Sequence, residues 1–141
     1  MNLKREIPIH VVIIPDGNRR WARKNGLAPT LGHKKSAEYE NIKSLFDEAK
    51  KLGIKYLSVW GFSTENWKRE RKEINVIFEI VLNLVKKLRK DAHEQKIRFR
   101  HFGRKDRLPK EVLEELRKLE KETENYSDFN VQLCMDYGGR D

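Results

Sequence analysis

Ile7-Pro8-Ile9-His10-Val11-Val12-Ile13-Ile14-Pro15-Asp16-Gly17-Asn18 is the stretch on which the fold turns. Ile7–Pro15 is short, β-branched and nearly continuous in its apolarity, the pattern of a strand buried on both faces. Asp16-Gly17-Asn18 breaks it. From about His33 to Leu52 the apolar positions Ala37, Ile42, Leu45, Phe46, Ala49 and Leu52 keep three- and four-residue spacing, which predicts a helix ended by Gly53. Tyr56–Phe62 reads as a second strand. Ile74–Leu88 is too long for a strand and carries a broad apolar face, so it reads as a helix continuing to about Glu94. Ile97–Phe102 alternates, with Arg98 and Arg100 on one side. Pro109 is placed in the first turn of a helix running to about Glu124, and Phe129–Met135 is the fourth strand. The intervening stretch Arg19–Gly32 is polar and is assigned neither strand nor helix.

Strands alternating with helices predict one α/β domain over residues 1–141, a parallel sheet with helices on both faces and right-handed crossovers. The carboxyl ends of its strands then share one edge, where open α/β sheets bind ligands. That edge would collect Asp16 to Arg20, Ser63 to Trp67, Gly103-Arg104 and Tyr137 to Arg140.

The 141 residues suit a single domain, and 31 Lys and Arg against 22 Asp and Glu leave a net charge of +9. A positive balance favours an anionic partner without choosing among nucleic acid, lipid and a phosphorylated small molecule. No basic tail or reading helix supports nucleic acid, and no partner of that kind is expected. No apolar run approaches the roughly 18 residues that span a bilayer, and Met1–Glu6 has no leader-like segment, so a cytoplasmic protein is expected. The single cysteine, Cys134, sits in an apolar run and reads as a small core residue. His10, His93 and His101 lack metal-ligand spacing, which argues against zinc.

Each polar cluster has a chemical and an ordinary reading. Gly17 allows a tight turn and close approach to backbone N–H groups, and Arg19 and Arg20 add charge for a phosphate. Asp16 is then either a ligand for a divalent cation or the cap of the next helix. Gly26 to Lys34 is not a nucleotide-binding loop, because five residues separate its glycines and His33 stands where a lysine belongs. His33 binds phosphate or merely caps a helix. Ser63 to Arg69 mixes hydroxyls, carboxylate, amide, indole and guanidinium immediately after a strand. The Ile74–Leu88 helix either packs into the core on two sides or walls an apolar cleft beside the charged edge. Phosphate site and apolar cleft together fit an amphiphile with a diphosphate head and a hydrocarbon tail.

His10 to Ala22, Gly32-His33, Phe62 to Arg69 and Tyr137-Gly138-Gly139-Arg140 resemble the cis-prenyltransferases, the undecaprenyl diphosphate synthase family. The resemblance implies an undecaprenyl diphosphate synthase-like α/β fold, incomplete at its carboxyl end because the family's second diphosphate-binding segment is not in this sequence. It implies an enzyme that condenses isopentenyl diphosphate onto an allylic prenyl diphosphate with Mg²⁺, forming cis double bonds, and a homodimer whose product partitions into membrane. By position it makes Asp16 the metal ligand and a catalytic residue, and puts Asn66 where a proton is removed. Gly17, Asn18, Arg19, Arg20, Trp21, His33, Ser63, Thr64, Glu65, Trp67 and Arg69 become substrate-binding residues. An amide is too weak a base to act alone, so Asn66 is expected to orient substrate or to relay through water or phosphate. Pro29 stands where many members carry a basic contact. As it stands, the chain is expected to be inactive or only to bind an allylic diphosphate; a noncatalytic prenyl-diphosphate-binding or interaction module is the alternative.

Overall fold

The computed structural model describes residues 6–140, so Met1 to Arg5 and Asp141 lie outside the described residues. Its elements in chain order are β1 (His10–Ile13), α1 (Asn18–Lys24), α2 (Pro29–Ser36), α3 (Tyr39–Lys51), β2 (Tyr56–Ser63), a 3-10 turn (Thr64–Lys68), α4 (Arg71–Glu94), β3 (Ile97–Phe102), α5 (Lys110–Thr123) and β4 (Phe129–Tyr137). The sheet runs β1-β2-β4-β3 and every neighbouring pair is parallel, as the alternation of strands and helices predicts.

The register assigns the faces. Val11, Leu57, Val131 and Phe99 align across the sheet, and Ile13, Val59 and Leu133 align one step further on. This face meets Phe46 of α3, Ile77, Val85 and Leu88 of α4, and Val112, Leu116 and Leu119 of α5 in one core. Burying a Leu or Phe side chain there contributes about 1.5–3 kcal/mol each. The opposite face mixes Val12, Trp60 and Cys134 with polar side chains: Ser58 donates to Gln132 Oε1 at 2.6 Å and shares a 2.8 Å hydrogen bond with His10 Nε2.

The two sheet edges are treated differently. α5 lies along β3 and satisfies its outward N–H groups, with Phe99 N donating to Thr123 Oγ1 at 3.0 Å and His101 N to Glu120 Oε1 at 2.7 Å. The β1 edge has no such cover among the described residues. The expectation of a first strand buried on both faces therefore fails: β1 is an edge strand, and Val12 and Ile14 are more than half exposed.

Three further points depart from the sequence reading. The single helix from His33 to Leu52 is two, because Glu38 is extended (φ −55°, ψ 133°) and side chains take carbonyls at the end of α2. Ser36 Oγ donates to His33 O at 3.1 Å and Asn41 Nδ2 to Lys35 O at 3.1 Å. The polar stretch Arg19–Gly32, to which the sequence assigns no element, contains most of α1 and the start of α2, held by one close crossing rather than by an apolar stripe. Only Ala22 and Gly32 are buried in the two helices, and a Cβ on Gly32 would lie 2.1 Å from Asn18 O. Finally, Pro109 is the extended residue before α5, not a member of its first turn.

Candidate substrate cleft

All four strands end at the same edge, so the segments following them converge. β1 runs through Pro15 and Asp16 into Gly17, whose φ of +91° is a left-handed conformation that an L side chain resists. That turn aims the chain into α1. The Asp16 carboxylate is exposed; Oδ1 accepts Gly17 N at 2.6 Å and Oδ2 faces Arg20 Nη2 at 3.4 Å. No side chain caps α1, so Asp16 does not serve as its helix cap.

β2 carries an extra residue at Gly61: Trp60 pairs with Cys134, and Phe62 pairs with Met135. The bulge turns Phe62 into the core and delivers Ser63 to the edge. Ser63 and Asn66 then cap one another across the 3-10 turn, with Ser63 N donating to Asn66 Oδ1 at 3.1 Å. Asn66 also lines the cleft below it.

Beneath these residues lies a cleft of about 440 Å³. Asn18, His33, Ser36, Ser63, Asn66 and Arg69 line its polar part. Ile42 of α3, Val59 and Leu133 of the sheet, and Ile77, Ile80, Val81, Leu84 and Leu88 of α4 line the rest. Of the two readings of the α4 helix, the wall of an apolar cleft is the one observed on this side.

A buried carboxylate organises the polar end. Glu73, in the first turn of α4, accepts His33 Nε2 at 2.8 Å and Arg69 Nη1 at 3.1 Å, and Arg19 Nε lies 3.9 Å away. Asn18 Nδ2 faces the other ring nitrogen of His33 at 3.4 Å. Nε2 of His33 thus faces Glu73 and Arg69, and Nδ1 faces Asn18. Arg69 and His33 are thereby held at the cleft rather than free in solvent.

Other sequence-predicted residues lie elsewhere. Arg19, Arg20 and Trp21 are exposed on α1, and Arg19 and Arg20 stand beside the cleft without lining it. Thr64 and Glu65 are off the cleft lining, and Glu65 pairs with Lys68 at the surface, 2.9 Å away. Trp67 packs against the core: its ring meets Phe62 edge-on and Phe78 at a tilt, and its Nε1 donates to Asp136 Oδ1 at 2.9 Å. Arg104 turns to Asp106, 2.8 Å away, and Tyr137 stacks on Trp60, which donates Nε1–H to Tyr137 O at 3.0 Å. Cys134 is buried, which pushes its thiol up, away from reactivity.

Comparison with known proteins matches residues 14–141 to a family described as "Putative undecaprenyl diphosphate synthase". The chain belongs to the undecaprenyl diphosphate synthase family. It is 41% identical over its whole length to an isoprenyl transferase of Aquifex pyrophilus, of which it covers 59%. Over 98% of its length it is 38% identical to an isoprenyl transferase of Fusobacterium nucleatum, again covering 59%. Among solved structures it resembles lavandulyl diphosphate synthase from Lavandula x intermedia in complex with dimethylallyl diphosphate. The TM-score is 0.88 at 30% identity, covering 95% of this chain and 57% of that one. It also resembles a probable undecaprenyl diphosphate synthase from Campylobacter jejuni, with a TM-score of 0.78 at 27% identity and coverage of 96% and 57%. The chain thus spans somewhat more than half the length of these relatives.

Two residues of this family member escaped the sequence reading. Glu73 sits in a charged run, Arg69 to Glu73, that looks like a solvated helix start. Asp136, fully buried with φ +53°, accepts Arg107 Nη2 at 2.5 Å and Nε at 2.9 Å besides the Trp67 indole. The one available signal was an acidic residue ending an apolar strand, which marks a carboxylate needing partners.

Proposed function

We propose that this chain supplies the allylic-substrate half of a cis-prenyltransferase, which joins isopentenyl diphosphate to an allylic prenyl diphosphate to give a longer polyprenyl diphosphate. The observation that carries the reading is one cleft with a cationic, amide- and hydroxyl-lined mouth and a long apolar floor. Such a shape suits a diphosphate head and a hydrocarbon tail. In this proposal Arg69, Arg19 and Arg20 hold the allylic diphosphate with the Gly17 turn, and His33 and Asn18 fix its orientation. Ile77, Val81, Leu84 and Leu133 take the tail and exclude water from the reacting carbon.

The arginines neutralise the charge that develops on the departing diphosphate, which is where preorganised donors lower a barrier most. The carbon–oxygen bond of the allylic group breaks, the isopentenyl double bond attacks that carbon, and a proton leaves the adduct to form the new alkene. Asn66 orients the isopentenyl group while the proton passes to water or phosphate. Among the described residues no three His, Cys, Asp or Glu gather as a metal site. A single exposed carboxylate still fits Mg²⁺, which is usually held by one or two carboxylates plus substrate phosphates. Asp16 would hold it, and the bound ion would supply positive charge for the leaving group. A cytoplasmic homodimer belongs to the same proposal.

Calorimetry with farnesyl diphosphate, with and without Mg²⁺, tests the binding half. The expected result is Mg²⁺-dependent binding weakened at least ten-fold by Asp16→Ala or Arg69→Ala. Absence of binding refutes the reading. Binding without incorporation of labelled isopentenyl diphosphate favours the noncatalytic alternative for this chain.

A further inference from the structure

The cations of this chain are not evenly placed. Residues 18–37 contain Arg19, Arg20, Arg23, Lys24, Lys34 and Lys35 and no Asp or Glu, so this short hairpin of α1 and α2 accounts for +6 of the net +9. Arg19 and Arg20 are spoken for beside the cleft, and Lys35 pairs with Glu38 at 3.1 Å. Among the described residues Arg23, Lys24 and Lys34 have no carboxylate within ion-pair distance. Their surroundings are apolar as well as basic. Trp21, Leu27 and Leu31 are each about 40% exposed on the same hairpin, because its buried side is used up by the Ala22–Gly32 crossing.

Exposed Trp and Leu interspersed with Lys and Arg that have no ion-pair partner, on a segment with no carboxylate of its own, is the pattern of an element lying in the boundary of an anionic bilayer; Lys34, on its α4 side, borders a hollow it shares with Glu38 and Glu79. The indole and leucines enter the headgroup layer and the cations meet lipid phosphates. A nucleic-acid surface would call for a groove-sized element or stacking platforms, and the hairpin offers a single tryptophan between leucines. We infer that the outward face of the α1–α2 hairpin docks on an anionic lipid bilayer. Asn18, His33 and Ser36 on the hairpin's other side line the cleft mouth, so docking holds that mouth one helix diameter, roughly 10 Å, from the bilayer surface. The inference rests on charge and exposure and stands whether or not the proposed reaction is correct. If both hold, a water-insoluble prenyl product leaves the cleft close to lipid.

The test is vesicle co-sedimentation of the chain without any prenyl diphosphate, using pure phosphatidylcholine and phosphatidylcholine with 40% phosphatidylglycerol as the probes (~40%, a strongly anionic surface). Binding is expected to the anionic vesicles alone, weakening as salt rises. Each cation near an anionic leaflet contributes roughly five-fold, so Arg23→Gln, Lys24→Gln and Lys34→Gln together are expected to reduce partition on the order of 100-fold. Leu27→Ser with Leu31→Ser is expected to reduce it as well, circular dichroism confirming the fold in both variants. No binding, equal binding to neutral vesicles, wild-type binding by the charge variant, or equally tight binding to duplex DNA each overturns the inference. Farnesyl diphosphate calorimetry reports on the cleft separately, so failure at the bilayer is distinguishable from failure of the proposed reaction.

Discussion

Replacing Glu73 by alanine removes the carboxylate to which both His33 and the Arg69 guanidinium are bound. The Glu73 side chain is 10% exposed, with His33 at 2.8 Å and Arg69 at 3.1 Å, themselves 13% and 27% exposed. Breaking a buried pair by deleting one partner costs about 3–5 kcal/mol, because the other charge stays buried without compensation. Arg69 retains access to water and Arg19, 3.9 Å from Glu73, is half exposed. Rehydration of both lowers the expected loss to about 2–3 kcal/mol. With a urea dependence of roughly 2 kcal/mol per molar, the unfolding midpoint should fall by about 1–1.5 M at unchanged slope. Glu73→Gln keeps an acceptor for His33 but loses the charge facing Arg69, and about half the effect is expected. In a double-mutant cycle, Arg69→Ala and Glu73→Ala should couple by about 1–2 kcal/mol. A midpoint shift below about 0.3 M for Glu73→Ala, or additivity in the cycle, refutes the account of Glu73 as the organiser of the cleft mouth.

Four other expectations follow from named contacts. Asp136→Ala leaves Arg107 and the Trp67 indole without their acceptor at a positive-φ position, and urea unfolding should show a loss of about 3 kcal/mol or more; Asp136→Asn should be milder, since Asn tolerates that backbone and can still accept from Trp67. Burial lowers the pKa of His101, whose Nε2–H donates to Met135 O at 3.0 Å. The unfolded chain then binds the extra proton, so this contribution is complete above about pH 6.5 and is lost as pH falls through that value toward the folded pKa. Unfolding midpoints at about pH 7.5 and 5.5 should differ less in His101→Gln than in the wild type. The Tyr39 hydroxyl is pushed up to about 12 by its hydrogen bond to Asp91 and by burial, so an alkaline absorbance titration should show one late tyrosine that disappears in Tyr39→Phe. Gly32→Ala should disrupt the α1–α2 crossing, because its Cβ meets backbone at Asn18 O; loss of helical circular dichroism and of farnesyl diphosphate binding is expected, and a native-like variant contradicts the crossing.

Much of the fold was readable because local periodicity reports burial. β3 has the predicted bounds, α4 begins three residues before its apolar pattern, and β4 overruns the prediction by two residues where Tyr137 pairs with Ser63. α1 was unreadable for the converse reason: it buries only Ala22, so no apolar stripe marks it. The break between α2 and α3 depends on Ser36 and Asn41 capturing carbonyls, a choice that apolar spacing does not encode.

For the site, sequence alone determined that Asp16, Ser63 and Tyr137 follow or end strands and that, in a parallel sheet, such residues share an edge. It also determined the family, through motifs whose order is carried by the chain itself. Only tertiary structure decided which of those residues face the cleft. Asn18, His33, Ser63, Asn66 and Arg69 do, whereas Trp67, from the same motif, is spent on Asp136 and the core. The difference arises because a side chain's partner can lie 40 positions away, as Glu73 does from His33, or 69, as Asp136 does from Trp67. Spacing along the chain reports which face a residue presents; the partner that face meets is set by packing between elements.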